Sequence, residues 1–389
     1  MTYFLSVLYC IVIVGFFDHS CHGFSTVRST SFPVSSASSF TSIASDTQLR
    51  SSSSSETPPS TPSSSFLDPN DDEEYEDLCA AVLVPGFLTG AAEFQPLCQA
   101  LTELGLPTVA VPMPNWHWLP CLGGRSARPI LERIDYTVKH LIANHGNITD
   151  ISINNVIPPY EYSLWDTWID FRSNPGGILK VGGSSRVDEY PVVEPRGTFR
   201  HPELETFPKK RVALIGHSAG GWISRVYLSS RGYGGKTYNG SKYVRSLVTL
   251  GTPHAAAPGP AFEGVSWVNQ EDVPVRALSV AGTGFKGGEW GSLTQGAYAF
   301  CCPDGSDGTL YDGDGVTPIF SSLAMPGSEQ LVLEDVSHFC WSDVFGGNFF
   351  APELADDYKS GRRPWYGSDG IVEQWAKFVM EAVPQCQVR

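Results

Sequence analysis

The stretch RVALIGHSAGGWISRVYL, residues 211–228, restricts the possible folds more than any other part of the chain. A short apolar run ends in a serine flanked by Gly216 and Gly220, and helical spacing begins at once with Ile223, Val226 and Tyr227. A strand that passes into a helix over so few residues needs a sharp turn, which the two glycines allow because they carry no Cβ. The same alternation recurs elsewhere. CAAVLVPG (79–86) is apolar without a break, the pattern of a strand buried on both faces. AAEFQPLCQALTELG follows with helical spacing and a stop at Gly105. PTVAVPMP predicts a second strand. RPILERIDYTVKHLIANHG predicts an amphipathic helix in which Ile130, Ile134, Val138, Leu141 and Ile142 share a face and Gly146 closes the run. Further strands are expected in VRSLVTLGTPH (244–254), VRALSVAGTG (275–284) and SEQLVLEDVSHF (328–339), and a last helix in DGIVEQWAKFVMEAV.

Strands alternating with helices imply an α/β architecture on a mostly parallel sheet. Ligands of such sheets sit at the carboxyl ends of the strands. The loops after residues 86, 216, 251, 284 and 334 are therefore expected on one rim. Residues 148–208 are irregular and rich in Pro, Gly and aromatics, an insertion ahead of the strand at 211. Its VIPPYEYSLWDTWIDF stretch reads as a lid over a ligand cleft, with a surface loop as the plainer alternative.

The start of the chain has a different composition. Tyr3 to Phe17 is apolar, shorter than the ~20 residues of a membrane span, and the small residues Cys21 and Gly23 precede Phe24. Residues 1–23 thus read as a signal peptide. Residues 24–65 are Ser/Thr-rich with no periodic apolar face, a disordered, transit-like segment. Together they read as a bipartite plastid presequence, with secretion or an endomembrane location as the alternative. Residues 66–78 form an acidic linker: DPNDDEEYED holds seven acids, nearly half of the net charge of −15. The domain itself, expected over 79–385, is mildly acidic and carries no nucleic-acid footprint. Of the nine cysteines, Cys10 and Cys21 lie in the leader. The rest are odd in number and lack metal-ligand spacing, so neither a disulfide framework nor a metal is demanded, and no cofactor is expected. Asn147 and Asn239 head glycosylation sequons, which matter only for a chain that passes the ER lumen.

Gly-x-Ser-x-Gly is weak by itself: in a serine-rich chain with 39 glycines, about 0.4 chance matches are expected. Its place between strand and helix is the stronger signal. It makes Ser218 a nucleophile at a helix N-terminus, where backbone N–H groups favour developing negative charge. The plainer reading is a helix cap. The chain order Ser, acid, His then selects the partners. His217 adjoins the serine and cannot turn its ring onto the hydroxyl. His254 precedes every candidate acid and reads as structural. His338, after the last strand, is the expected base, against a role in packing beside Phe339 and Trp341. Asp304, Asp307, Asp312 and Asp314 all fit the acid by order. Gly313 and Gly315 around Asp314 suit a tight turn that presents a carboxylate, so Asp314 is favoured and Asp312 second. A calcium loop would need a downstream bidentate Glu that the segment lacks. The two oxyanion donors are expected from the amides of Ala219 and of Phe87 in VPGFLTG.

VLVPGFLTG, LIGHSAGGW, LVTLGTPH, DGDGVTP, VSHF and RPWYGS…VEQW, kept in order over residues 79 to 380, together resemble plant and algal alpha/beta-hydrolase lipase-like proteins, distant relatives of lecithin:cholesterol acyltransferases and GPI inositol-deacylases. The resemblance implies an α/β-hydrolase fold with Ser218, Asp314 and His338 as triad. It also implies a lipid or other acyl ester substrate met at a membrane surface. It departs from the pattern in the long 148–208 segment, and in Pro85-Gly86 where many lipases have His-Gly. An acyltransferase on the same triad, or a non-catalytic binding protein of the same fold, are the alternatives.

Overall fold

The structure is a computed structural model that describes residues 77–113, 118, 127–149, 210–233, 237–257, 262–289, 292–339 and 363–381. The chain divides into two units, Met1–Glu73 and Glu74–Arg389, and every described residue belongs to the second. The signal-like and Ser-rich segments, and the insertion from residue 150 onward, lie outside the described residues.

Six strands form one sheet: β1 Asp77–Val84, β2 Thr108–Ala110, β3 Lys210–His217, β4 Val244–Leu250, β5 Arg276–Gly282 and β6 Glu329–Leu333. Their order is β2-β1-β3-β4-β5-β6 and every pairing is parallel. β1 starts at Asp77, inside the segment read as linker and ahead of the boundary expected at residue 79. Among the described residues the α-helices are α1 Gln95–Glu103, α2 Arg128–Ala143, α3 Ala219–Leu228, α4 Glu263–Val268, α5 Ser292–Phe300, α6 Ile319–Ser322 and α7 Val372–Met380.

Both faces of the sheet are covered along the middle of β1, β3 and β4, which is why these strands are largely apolar there, while the edge strand β6 is mostly exposed. Val82 and Val84 of β1 and Leu214 of β3 pack with Ile130, Ile134 and Val138 of α2 and Ile223 and Val226 of α3. Ala81, Leu83, Ala213 and Ile215 face the other way, with Leu97 and Leu101 of α1 and Val372, Trp375 and Val379 of α7. Each fully buried Leu, Ile or Val side chain contributes about 1.5–3 kcal/mol. The polar side of α2 is buried as well, with Arg128, Glu132, Arg133 and Lys139 all largely out of solvent. These charges are paired: Arg128 Nε lies 3.5 Å from Glu132, Lys139 Nζ 3.1 Å from Asp135, and Arg133 donates to the Pro112 carbonyl at 2.6 Å. Buried charge without such partners would cost several kcal/mol (~2–7 even for a neutral polar group).

β1 connects to β2 on one side while β3 pairs on its other side, so the order reverses between β1 and β3. Parallel sheets bind ligands at such a switch point, beyond the carboxyl ends of the strands. Gly86 and Ser218 follow those two strand ends.

Candidate active site

Ser218 lies between β3 and α3 with φ 52° and ψ −129°, a conformation L-residues rarely adopt and one that costs about 1–3 kcal/mol. Close packing holds it there. The Ser218 amide donates to the Leu250 carbonyl at 2.9 Å, and Gly221 N–H donates to the Ser218 carbonyl at 3.0 Å. A Cβ on Gly220 would collide with the carbonyl oxygens of Val84 and Pro85, and one on Gly216 with the backbone of Gly221. The chain turns where it does because two glycines let β1, β3 and α3 touch backbone to backbone.

Beside this turn runs the loop after β1. A Cβ on Gly86 would lie 2.9 Å from Ser218 Cβ and 2.7 Å from His217 Nδ1. The Thr89 amide and hydroxyl donate to the Gly86 carbonyl at 3.1 and 2.6 Å, closing the turn around Phe87 and Leu88. Among the described residues, no backbone or side-chain acceptor takes the amides of Phe87 or Ala219. They are the two donors expected for an oxyanion.

The carboxyl ends of β4, β5 and β6 bring Asp314 and His338 together. His338 Nδ1 and Asp314 Oδ2 are 2.7 Å apart, with both side chains excluded from solvent. Oδ1 accepts the amides of Val316 at 3.0 Å and Thr317 at 2.7 Å, and Oδ2 also accepts the Tyr366 hydroxyl at 2.8 Å. The carboxylate is thereby hydrogen-bonded through both of its oxygens. It fixes Nδ1 of His338 as the protonated nitrogen, so Nε2 is the basic one. Nε2 is buried and, among the described residues, has no hydrogen-bond partner, the Ser218 hydroxyl included. Catalytic hydrogen bonds commonly tighten only with substrate present. Gly251, at the end of β4 with φ +56°, abuts this pair: a Cβ there would strike Asp314 Oδ2 and lie 2.9 Å from His338 Nδ1.

The other candidates resolve one by one. Asp312 Oδ1 accepts the amides of Gly284, Phe285 and Gly313 at 3.0, 2.9 and 2.8 Å, so it fastens the acid loop to the end of β5. Asp304 and Asp307 accept the amides of Ser306 and Thr309 in exposed turns. His254 is structural, as expected: Arg225 donates to its Nδ1 at 3.2 Å and Nε2 meets Thr249 Oγ1 at 3.1 Å. Burial, then the Arg225 charge, holds it neutral well below the ordinary histidine range.

Two contacts had no counterpart in the sequence reading. His217 donates from Nε2 to the His338 carbonyl at 2.7 Å, its ring 4.6 Å from that of His338. Burial, reinforced by His338, pushes its pKa down to about 3. Tyr366 lies in the RPWYGS block, whose pattern signals no polar role. Its burial and the Asp314 charge raise the phenol well above the usual tyrosine value.

This architecture is an α/β-hydrolase fold. A family model described as a PGAP1-like alpha/beta domain matches residues 200–267, which hold β3, the Ser218 turn, α3 and β4. The chain is thus similar, at a coarse level, to the lipase-like alpha/beta hydrolases. No curated protein matches it.

Proposed function

We propose that the protein is a serine hydrolase that cleaves acyl esters, a lipid acyl hydrolase working through Ser218, His338 and Asp314. One observation carries the reading. A buried Asp–His pair at 2.7 Å leaves an unpartnered Nε2 on the rim that also bears the strained Ser218 turn. In the reaction, His338 Nε2 takes the proton of the Ser218 hydroxyl as the oxygen attacks the ester carbonyl. Asp314 holds the imidazole tautomer and stabilises its positive charge. The Phe87 and Ala219 amides receive the oxyanion, each worth ~10²–10³ in rate. The alcohol leaves with the proton from His338. Water, deprotonated by the same histidine, then releases the acid from Ser218. In this scheme the leader of residues 1–65 directs the protein to plastids, where acyl lipids on membrane surfaces are its substrates.

The test uses the full chain and Ser218→Ala, each incubated with mixed galactolipids and phospholipids, with released fatty acid measured by mass spectrometry. Release by the parent and none by the variant is expected. Equal release by both removes Ser218 as nucleophile. A new acyl ester formed on an added alcohol, with no free fatty acid released, turns the reading to an acyltransferase. A fluorescent fusion of residues 1–65 that stays outside plastids removes the localisation.

A further inference from the structure

We propose that Tyr366 is a positioning residue for the Asp314–His338 pair, its hydroxyl holding the carboxylate oxygen that orients the histidine. The proposal deepens the hydrolase reading above and rests on it. A phenol has one proton to give and lone pairs to receive. Gly282 N–H lies 2.9 Å from the Tyr366 oxygen, and an amide can only donate. The phenol proton is therefore directed to Asp314 Oδ2, at 2.8 Å. The same oxygen accepts His338 Nδ1–H at 2.7 Å. Three residues thus form a directional chain that ends on one carboxylate oxygen, in a dry site where such chains reinforce one another.

The chain is anchored at both ends. Gly282 is the last residue of β5, so the carboxylate is tied through Tyr366 to the sheet. The ring is buried, and Trp375 Nε1 of α7 donates to the Tyr366 carbonyl at 2.8 Å. The preceding residues brace the histidine loop, with Ser337 N–H on the Pro364 carbonyl at 2.9 Å and a parallel bridge between Ser337 and Trp365. The RPWYGS block therefore supports both the acid and the base. Loss of the hydroxyl alone would free Oδ2 to rotate and leave the buried Gly282 amide without its acceptor, while a phenyl ring keeps the packing.

The experiment reacts the full-length protein, Tyr366→Phe, Asp314→Asn, the double variant and Ser218→Ala with a fluorophosphonate, recording the labelled fraction and the rate constant separately. Tyr366→Phe is expected to reach the parent's labelled fraction with a rate constant about tenfold lower, as for a lost hydrogen bond to a charged group. It should cause no further loss in the Asp314→Asn background, because it acts through Asp314. An unchanged rate overturns the proposal. So does an equal drop in both backgrounds, or a smaller labelled fraction at unchanged rate, which marks damaged packing. A second readout is independent of labelling. The low-field proton resonance of His338 Nδ1–H, assigned by its loss in His338→Ala, is expected to move in Tyr366→Phe. If it stays in place, the coupling is refuted even where labelling succeeds. If it moves but the parent takes no label, the hydrolase reading falls and the coupling stands.

Discussion

Ser218 owes its backbone strain to its neighbours, and the glycine after the turn is the most sensitive of them. Gly220 has the carbonyl oxygens of Val84 and Pro85 where a methyl group would go, both of them backbone atoms that cannot swing aside. Gly220→Ala is expected to destabilise the protein by about 1–3 kcal/mol, the usual cost of overpacking, and to slow fluorophosphonate labelling. Urea unfolding checks the first part, and a variant as stable as the parent would refute it. At this scale the sequence was informative about Ser218 and His338, because strand context and chain order exclude the competing serines and histidines. It was less so for the acid. Four aspartates shared the right order, and only their partners separate them: Asp312 is used up by three amides, whereas Asp314 faces His338. The sequence reading set His217 aside as a base for the serine, but its bond to the His338 carbonyl spans 121 residues and leaves no local trace.

Among the elements, α7 shows how support arrives from the end of the chain. Trp375 is fully buried between the sheet and α7 and donates to the Tyr366 carbonyl. Trp375→Ala should cost about 3–5 kcal/mol through the cavity it leaves. It should also depress activity, since Tyr366 loses its anchor. A thermal midpoint within a degree of the parent would contradict this. The long elements were legible because their periodicity is long: β4, β5, α1, α2 and α7 lie within the stretches that predicted them, and β1 and β3 begin two residues and one residue ahead of theirs. α4, α5 and α6 were not foreseen; α6 spans four residues, too few for a helical period. β6 is shorter than SEQLVLEDVSHF suggests. It ends at Leu333, and Asp335 takes φ 56°, a left-handed turn that carries the chain toward His338. The polar residues of α2 read as one face of an amphipathic helix, yet they too are buried, held by partners such as Tyr238 and Pro112 that are distant in sequence.

Among the described residues, two buried histidines are held neutral, and both act on the response to acid. For His217 the folded value is about 3 against an ordinary 6.5, so between these limits the unfolded chain binds a proton that the folded chain refuses. Stability is therefore complete above pH 6.5 and falls as the pH drops toward 3, by up to ~1.4 kcal/mol per unit for each such histidine. His254, depressed by burial and by Arg225, acts in the same direction. The urea midpoint is expected to decline from pH 6.5 downward, less steeply in His217→Asn; equal slopes would exclude His217 as a source. What the sequence by itself determined is the order of the strands and of the helices α1, α2, α3 and α7, the turn at Ser218 and the histidine that follows the last strand. Each of these is written in local patterns of apolar residues and glycines. The tertiary structure alone decided which aspartate meets that histidine, which nitrogen is left bare, and that a tyrosine near the end of the chain holds the pair. Those are contacts between residues 24 to 84 positions apart, and they exist only once the parallel sheet has gathered its strand ends on one rim.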